Sequence, residues 1–410
     1  MNIDIGSVKG FQDFLPPDSQ KRIEVRKIIE KNFRKYGFLP IETSIVEFDE
    51  LMRPDILEGE DEAVSDRFRL KDRAGRNLGL RYELTFQLSR IFKQNPNIKL
   101  PIRFSQIGAV FRDEPTSPDR FRQIIQCDAD IIGDSTYLAD AECLAMLSSI
   151  LKECKIAAEI QVNNRKLLSS IIESVEIKNV KQVMRELDKK DRIGEDMMKL
   201  NLKKYADSNQ VLSLLKLLEK DFLFFKENAF EGAEELEGLM IKARKYGVLL
   251  KFNPLMVRGL GYYTGNIFEA IMPGRGSLAG GGRYDRIAGK YLDREIPAVG
   301  LSLGLERISQ VAKVEICPPK TMIISIEKES ETIKLTRKLR EAEISCFPCF
   351  EKIEKALEIA DSQRIPYAIF IGENEIKKGK YKLKDMQSGN EKMITEKQLI
   401  AELQKIELIK

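Results

Sequence analysis

The sequence predicts an α+β protein: a mainly antiparallel sheet interrupted by a helical insertion, then a C-terminal α/β domain. Three observations predict it. Strand-like segments before about residue 162, and again between 261 and 303, cluster together around inserted helices. Between 165 and 245 leucine, lysine and glutamate dominate at helical spacing, with no clear strand. Beyond the proline-bearing linker Cys317-Pro318-Pro319-Lys320, strands and helices alternate for about 90 residues, an ordinary domain length. The expected division is 1–319 and 320–410, with the insertion at 165–245, and a chain of 410 residues suits two to three domains.

Taken in order, Asp18 follows Pro16-Pro17 as an N-cap, and Ile23, Ile28, Ile29 and Phe33 recur near helical spacing to about residue 36. Leu39-Pro40-Ile41-Glu42 reads as extended, and Pro40, which cannot donate to a ladder, places it at an edge or interface. Residues 66–71 and 78–83 form two strands joined by a turn, and 84–94 a helix. Residues 102–112 and 120–132 form a hairpin, 139–154 an apolar helix and 157–162 a strand. Within the insertion, Leu212, Leu215, Leu218 and Phe222 form one apolar stripe. Strand-like sequence returns at 261–270, followed by a glycine-rich loop at 274–283, and by a strand at 298–303 leading into a helix near Gly304. The last domain reads strand 322–327, helix 330–341, strand 343–348, helix 351–362, strand 367–372, a turn, strand 380–386, helix 396–406.

Composition narrows the chemistry. With 68 basic and 64 acidic residues the net charge is +4, which neither requires nor forbids a nucleic-acid partner. No apolar run reaches the ~18 residues of a membrane span, and MNIDIGSVKG lacks a signal-peptide pattern, so the cytoplasm is the expected compartment. Of six cysteines only Cys346 and Cys349 form a CxxC pair, which reads as two buried thiols rather than a zinc or redox site. There is no histidine, so the commonest general base is missing. Phosphate-centred chemistry, which needs positioning and positive charge more than proton shuttling, fits what remains.

The hairpin FRDEPTSPDRFRQIIQCDAD at 111–130 carries that chemistry. Arginines on both arms can grip a polyphosphate by paired hydrogen bonds, and Gln126, Asp128 and Asp130 on the return strand can grip a cation beside it. Three weaker segments accompany it. The loop GRGSLAGGGR is neither a dinucleotide fingerprint nor a P-loop, and reads instead as close approach of backbone to a ligand, or as a surface loop. Arg258-Gly259-Leu260-Gly261-Tyr262-Tyr263 combines an arginine with paired tyrosines. Gly300-Leu301-Ser302-Leu303-Gly304-Leu305-Glu306-Arg307 leads a glycine-flanked strand into a helix that projects an arginine from its first turn.

In their order and spacing these segments resemble the class II aminoacyl-tRNA synthetases. Gly37-Phe38-Leu39-Pro40-Ile41-Glu42-Thr43, Phe111-Arg112-Asp113-Glu114 through Phe121-Arg122-Gln123, and 300–307 look like the three class II motifs. Arg258 to Tyr263 and Ala279-Gly280-Gly281-Gly282-Arg283-Tyr284-Asp285 resemble the two signature segments of the histidyl-tRNA synthetase family, joined by Leu80 to Thr85 and Asn163 to Leu168. The resemblance spans nearly the whole chain. It implies ATP-dependent ligation of L-histidine to tRNA(His) through a histidyl-adenylate, with Mg2+ accompanying ATP, no metal site built from protein ligands alone, a homodimer through the first motif, and a C-terminal anticodon-binding domain. A paralogous regulatory subunit of ATP phosphoribosyltransferase is the rival, and the retained 321–410 domain and three arginines weigh against it.

The resemblance also implies roles. Arg112 and Arg258 flank the α-phosphate as the catalytic pair; Glu114, Arg120 and Arg307 join Arg112 in binding ATP; Glu83, Thr85 and Gln126 cradle the α-ammonium; Asp130 and Tyr263 bond the two imidazole nitrogens; and Tyr262 joins the histidine-binding set. Position 130 is aspartate where some relatives have glutamate, and 261 is glycine where many carry an acid. The loop 115–119, which faces the tRNA acceptor end in the family, is short and has Asp119 as its one charge.

Overall fold

The computed structural model describes residues 5–52, 67–117, 120–258, 261–292, 294–316 and 319–408. Pro118, Asp119, Gly259, Leu260, Cys317 and Pro318 lie outside the described residues. The chain divides into two compact units, Met1–Val314 and Glu315–Lys410.

The first unit opens with α1 (Asp18–Lys35), β1 (Leu39–Pro40), β2 (Val46–Phe48), β3 (Arg69–Lys71), β4 (Asn77–Leu80) and α2 (Phe86–Gln94). The hairpin β5 (Ile102–Phe111) and β6 (Gln123–Ile132), then α3 (Tyr137–Glu153) and β7 (Glu159–Asn164), follow. Seven helices occupy the insertion, from α4 (Arg165–Glu173) to α10 (Ala233–Lys245). The chain then returns through β8 (Leu250–Phe252), β9 (Asn266–Met272), β10 (Gly276–Arg283) and β11 (Ala298–Gly304) to α11 (Leu305–Val311).

Eight strands form one sheet in the order β1-β5-β6-β11-β10-β9-β7-β8, with parallel pairing at its two ends, β1 with β5 and β7 with β8. The β5–β6 ladder runs unbroken from Ile102 opposite Ile132 to Phe111 opposite Gln123. Side chains alternate across a strand, and here the alternation sorts the molecule. Cys127, Ala129 and Ile131 of β6 and Val299, Leu301 and Leu303 of β11 join a core shared with Ile29 and Phe33 of α1 and Leu144 and Leu147 of α3. Gln126, Asp128 and Asp130 therefore share the opposite face.

Several expectations shift. Asp18 is the first helical residue rather than the cap: Pro17 stands at the N-cap and no side chain bonds the helix start. Pro40 does lie on the edge strand. In the insertion helix Ser208–Leu217 the buried stripe is Val211 and Leu214, whereas Leu212 is exposed. Of the expected stripe, Leu218 is buried and Leu215 and Phe222 pack half-buried against the same core, so Leu212 alone departs from it; the stripe is also broken, since the helix stops at Leu217 and another begins at Phe222. The stretch 261–265 is turn and loop, and the strand starts at Asn266. The expected loop at 274–283 is a tight turn followed by β10, an interior strand of the sheet. Its glycines read as loop because glycine is unfavourable in strands; packing over their bare backbone is what places them there.

The second unit has a five-stranded sheet in the order β13-β12-β14-β15-β16. β12 (Thr321–Ser325), β13 (Cys346–Cys349) and β14 (Tyr367–Ile371) run parallel, while β15 (Tyr381–Asp385) and β16 (Glu391–Ile394) complete it antiparallel. Its helices are α12 (Glu329–Glu341), α13 (Ile353–Ser362), α14 (Glu373–Lys378) and α15 (Glu396–Leu408). The turn expected before 380 is α14, ended by Gly379 in the left-handed region, and β16 is an added strand. Cys346 packs in the core with Leu335 and Leu339, and Cys349 in a different core with Ala356 and Ala360. Both thiols are buried, on opposite sides of the sheet.

Candidate functional site

On the polar face of β6, glycines of the neighbouring strands stand beside Gln126 and Asp130, while Gln106 and Ser302 flank Asp128. In register with Asp130 lies Gly300, and beyond it Gly282; in register with Gln126 lie Gly304 on one side and Gly108 on the other. The space is already used. A Cβ on Gly300 would stand 2.1 Å from Asp130 Oδ1, one on Gly280 2.2 Å from Arg258 Nη1, and one on Gly108 2.2 Å from Arg81 Nη2. The glycines thus admit functional side chains of this chain directly onto the sheet.

Two acids stand on this floor. Asp130 is 3% exposed; its Oδ1 accepts from the Tyr284 hydroxyl, and its Oδ2 is buried with no partner among the described residues. Burial pushes its pKa up to about 7, against the Tyr284 bond, with Glu83 adding to the rise. Asp128 accepts from the Ser302 hydroxyl at 2.6 Å, and burial followed by the charge of Asp130 pushes it well up. A third acid, Glu83, comes from the start of α2. Its carboxylate accepts from the backbone N–H of Thr85 at 3.0 Å and of Phe86 at 2.6 Å, groups that a helix start leaves unpaired. Burial raises its pKa while those bonds and Arg112 draw it down. Acids gathered in a buried site are unfavourable unless a cation joins them.

Aromatic rings wall the floor. Tyr262 packs on Tyr263 at 4.8 Å, on Phe86 at 5.6 Å and on Tyr284 at 5.9 Å between ring centroids. Arg258 lies over Gly280 and pairs with Glu269 of β9 at 2.8 Å, its Nε buried and without a partner among the described residues. Burial alone would lower its pKa, but Tyr263 and Glu269 beside it hold it above the usual arginine value. Its φ of 64° is a left-handed conformation that costs a non-glycine residue roughly 1–2 kcal/mol, borne here to aim the guanidinium.

The hairpin end carries the other charges. Arg112 Nε donates to the Tyr82 carbonyl at 3.0 Å. Arg120 lies 3.8 Å from Glu114, both partly exposed, and Arg122 bonds Asp113 at 3.2 Å. On α11, Arg307 is exposed and donates to the Ser277 carbonyl at 2.7 Å. Its neighbour Glu306 is buried, pairing with Arg22 of α1 at 2.8 Å and accepting from the Ile125 N–H at 3.0 Å. A cleft of about 690 Å³ between the start of α1 and this hairpin takes in Arg120, Arg275 and Glu306, but not Glu83, Asp128 or Asp130.

The family model described as Histidyl-tRNA synthetase matches residues 10–308, and that described as Anticodon binding domain matches 316–406. The chain belongs to the histidyl-tRNA synthetase family. It is 34% identical over 418 residues to Histidine--tRNA ligase 1 of Bacillus cereus, covering 95% of this chain and 97% of that one. It is 32% identical over 424 residues to Histidine--tRNA ligase of Clostridium tetani, covering 94% and 95%. Among solved structures, histidyl-tRNA synthetase from a Nostoc species superposes with a TM-score of 0.85 at 27% identity, covering 98% of this chain and all of that one. An ATP phosphoribosyltransferase regulatory subunit/histidyl-tRNA synthetase from Bacillus halodurans shares the fold, with a TM-score of 0.74 at 20% identity, covering 89% and 98%. The class II architecture, a mixed sheet with helices plus a second unit with its own sheet, is therefore the family's.

The structure brings Glu83, Thr85, Gln126, Asp130, Tyr262 and Tyr263 to one buried floor, with Arg258 beside it and Arg112 acting on Glu83. Arg120, Glu114 and Arg307 sit on the hairpin end and α11. Sequence reasoning missed the partners of these groups: Tyr284 on Asp130, Ser302 on Gln126 and Asp128, and Glu269 on Arg258. Tyr284 and Ser302 stood inside matched motifs without a role. The signal for Ser302 was the alternation Gly300-Ser302-Gly304, a polar residue on the face where its strand neighbours are bare.

Proposed function

We propose that this chain ligates L-histidine to tRNA(His) in two steps in the cytoplasm, as a homodimer. The observation that carries the reading is the set of buried polar atoms left open beside one another's elements: Gln126 Oε1, Asp130 Oδ2 and Arg258 Nε. An acceptor pair and a guanidinium suit a ligand that is cationic on one side and anionic on the other.

In the first step an oxygen of the histidine carboxylate attacks the α-phosphorus of ATP. A carboxyl–phosphate anhydride forms, the α–β bridging P–O bond breaks, and diphosphate leaves. Negative charge builds on the phosphate oxygens, and Arg112 and Arg258 stabilise it as fixed donors. Glu114, Arg120 and Arg307 hold the rest of the nucleotide. Glu83, Thr85 and Gln126 bind the α-ammonium, whose charge relieves the crowding of acids. Asp130 and Tyr263 address the two imidazole nitrogens, with Tyr262 packed behind; an analogue lacking those nitrogens would leave both groups unpaired. In the second step a terminal ribose hydroxyl of tRNA attacks the acyl carbon and AMP leaves.

Among the described residues no cluster of three or more histidine, cysteine or acidic side chains could hold a metal. Mg2+ would enter on the nucleotide, since this ion keeps waters and phosphates and takes one or two carboxylates; Glu114 would be the carboxylate here. When bound it neutralises phosphate charge. Dimerisation is supported by the exposed β1 edge and by exposed Leu39, Ile45, Val46 and Phe48 nearby in sequence. No helix among the described residues is long and apolar enough to cross a membrane.

Pyrophosphate exchange with each of the twenty amino acids tests the reading. Exchange with histidine alone is expected; exchange with none, or equally with another, refutes it.

A further inference from the structure

Asp128 and Ser302 face each other in register across β6 and β11. The Ser302 hydroxyl donates to Asp128 Oδ1 at 2.6 Å, and Ser302 Oγ in turn accepts from Gln126 Nε2 at 2.6 Å. Gln126 Oε1 is left buried and without a partner among the described residues. The order is directional. A carboxylate has no proton to give, so serine must donate to it. Serine has one O–H; once that is committed, only lone pairs face Gln126. The amide must then turn its NH2 to the serine and its carbonyl to the open side. The polarity also holds for a neutral Asp128 protonated on Oδ2. No cross-strand neighbour of Gln126 can do this instead, because Gly304 and Gly108 carry no side chain.

We propose that Asp128 and Ser302 are positioning residues that lock the Gln126 amide with its carbonyl oxygen toward the substrate's α-ammonium, making the site discriminate an amino acid from its deaminated analogue. This rests on the histidine-binding reading of the site. A glutamine free to flip would offer an NH2 to the ammonium and lose the hydrogen bond, whereas the chain of donors removes that choice before the ligand arrives. It explains why a fully buried acid, apart from Asp130, stands on the floor.

The test begins with histidine-dependent pyrophosphate exchange by the unmodified chain, whose failure would count against the histidine reading itself. Ser302→Ala should then raise the KM for histidine by about tenfold, with the KM for ATP unchanged. Asp128→Asn should shift it the same way by less, since asparagine can still accept. The competitive inhibition constant of 3-(imidazol-4-yl)propionate, which has no ammonium, should not move in either variant. Equal weakening of histidine and the deaminated analogue, or no effect of Ser302→Ala on either, overturns the proposal.

Discussion

Replacing Gly300 by alanine puts the crowded floor to a direct test. The backbone tolerates it, since Gly300 is not in the left-handed region. The space does not. The new methyl would stand 2.1 Å from Asp130 Oδ1 and 3.0 Å from a Tyr284 ring carbon. Asp130 must retreat by about 1 Å before the contact becomes tolerable. Oδ1 cannot retreat that far and keep its bond to the Tyr284 hydroxyl, and Oδ2, proposed above to face the imidazole, moves with it. A displacement of about 1 Å at a reacting complex can cost on the order of a hundredfold in rate. We expect kcat/KM for histidine in pyrophosphate exchange to fall by roughly that factor, with the KM for ATP unchanged. Gly304→Ala is the internal control: on the same strand and face, its Cβ would meet Arg307 carbons at 3.8 Å or more, so activity should stay within a few-fold of the unmodified chain. Undiminished histidine activity in a folded Gly300→Ala protein would refute the packing argument, as would an equal loss in Gly304→Ala.

Other expectations follow from the same geometry. Arg258→Ala should lower adenylation by about 10²–10³ while equilibrium ATP binding persists; an unchanged single-turnover rate would remove Arg258 from the chemistry. Asp130 titrates from 3.8 in a free chain to about 7 when buried. In that window the native state keeps a proton that the unfolded chain has lost, so the contribution of Asp130 to stability falls as pH rises from about 4 to 7. Asp130→Asn should flatten that slope in chemical denaturation, and an identical slope would disprove the assignment. Phe48, an exposed aromatic on β2, tests the proposed dimer: Phe48→Asp should yield a monomer in light scattering, and a dimer that persists would place the interface elsewhere.

The sequence made legible whatever repeats a pattern. The hairpin arms, the helix after Asp18 and the alternating second unit follow from periodicity and turn residues, and their bounds shift by a few residues. The glycine-rich strand was illegible, because glycine's weakness in strands is a local fact and its use there depends on Arg258, Phe268 and the Gly300 carbonyl packing over it. The stripe from Leu212 to Phe222 was only partly legible: Leu218 and, half-buried, Leu215 do pack inward, but Leu212 does not and Val211 and Leu214 do, because apolar residues occupy both faces. Site residues became visible only through motif resemblance. Their partners did not, since Tyr284 lies 154 residues from the Asp130 it touches, and no local spacing encodes a cross-sheet bond.

The two-faced ladder of β6 has a consequence for how this gene can change. Deleting or inserting a single codon between 123 and 127 would rotate every later side chain of β6 to the other side, swapping Asp128 and Asp130 with Ala129 and Ile131. One frame-preserving accident would thus bury the acids among aliphatic helices and empty the binding floor. The connection at 112–122 has no such parity. The ten-residue strand is therefore fixed in count, while the connection is constrained by the side chains it presents, Arg112, Glu114 and Arg120, rather than by a face.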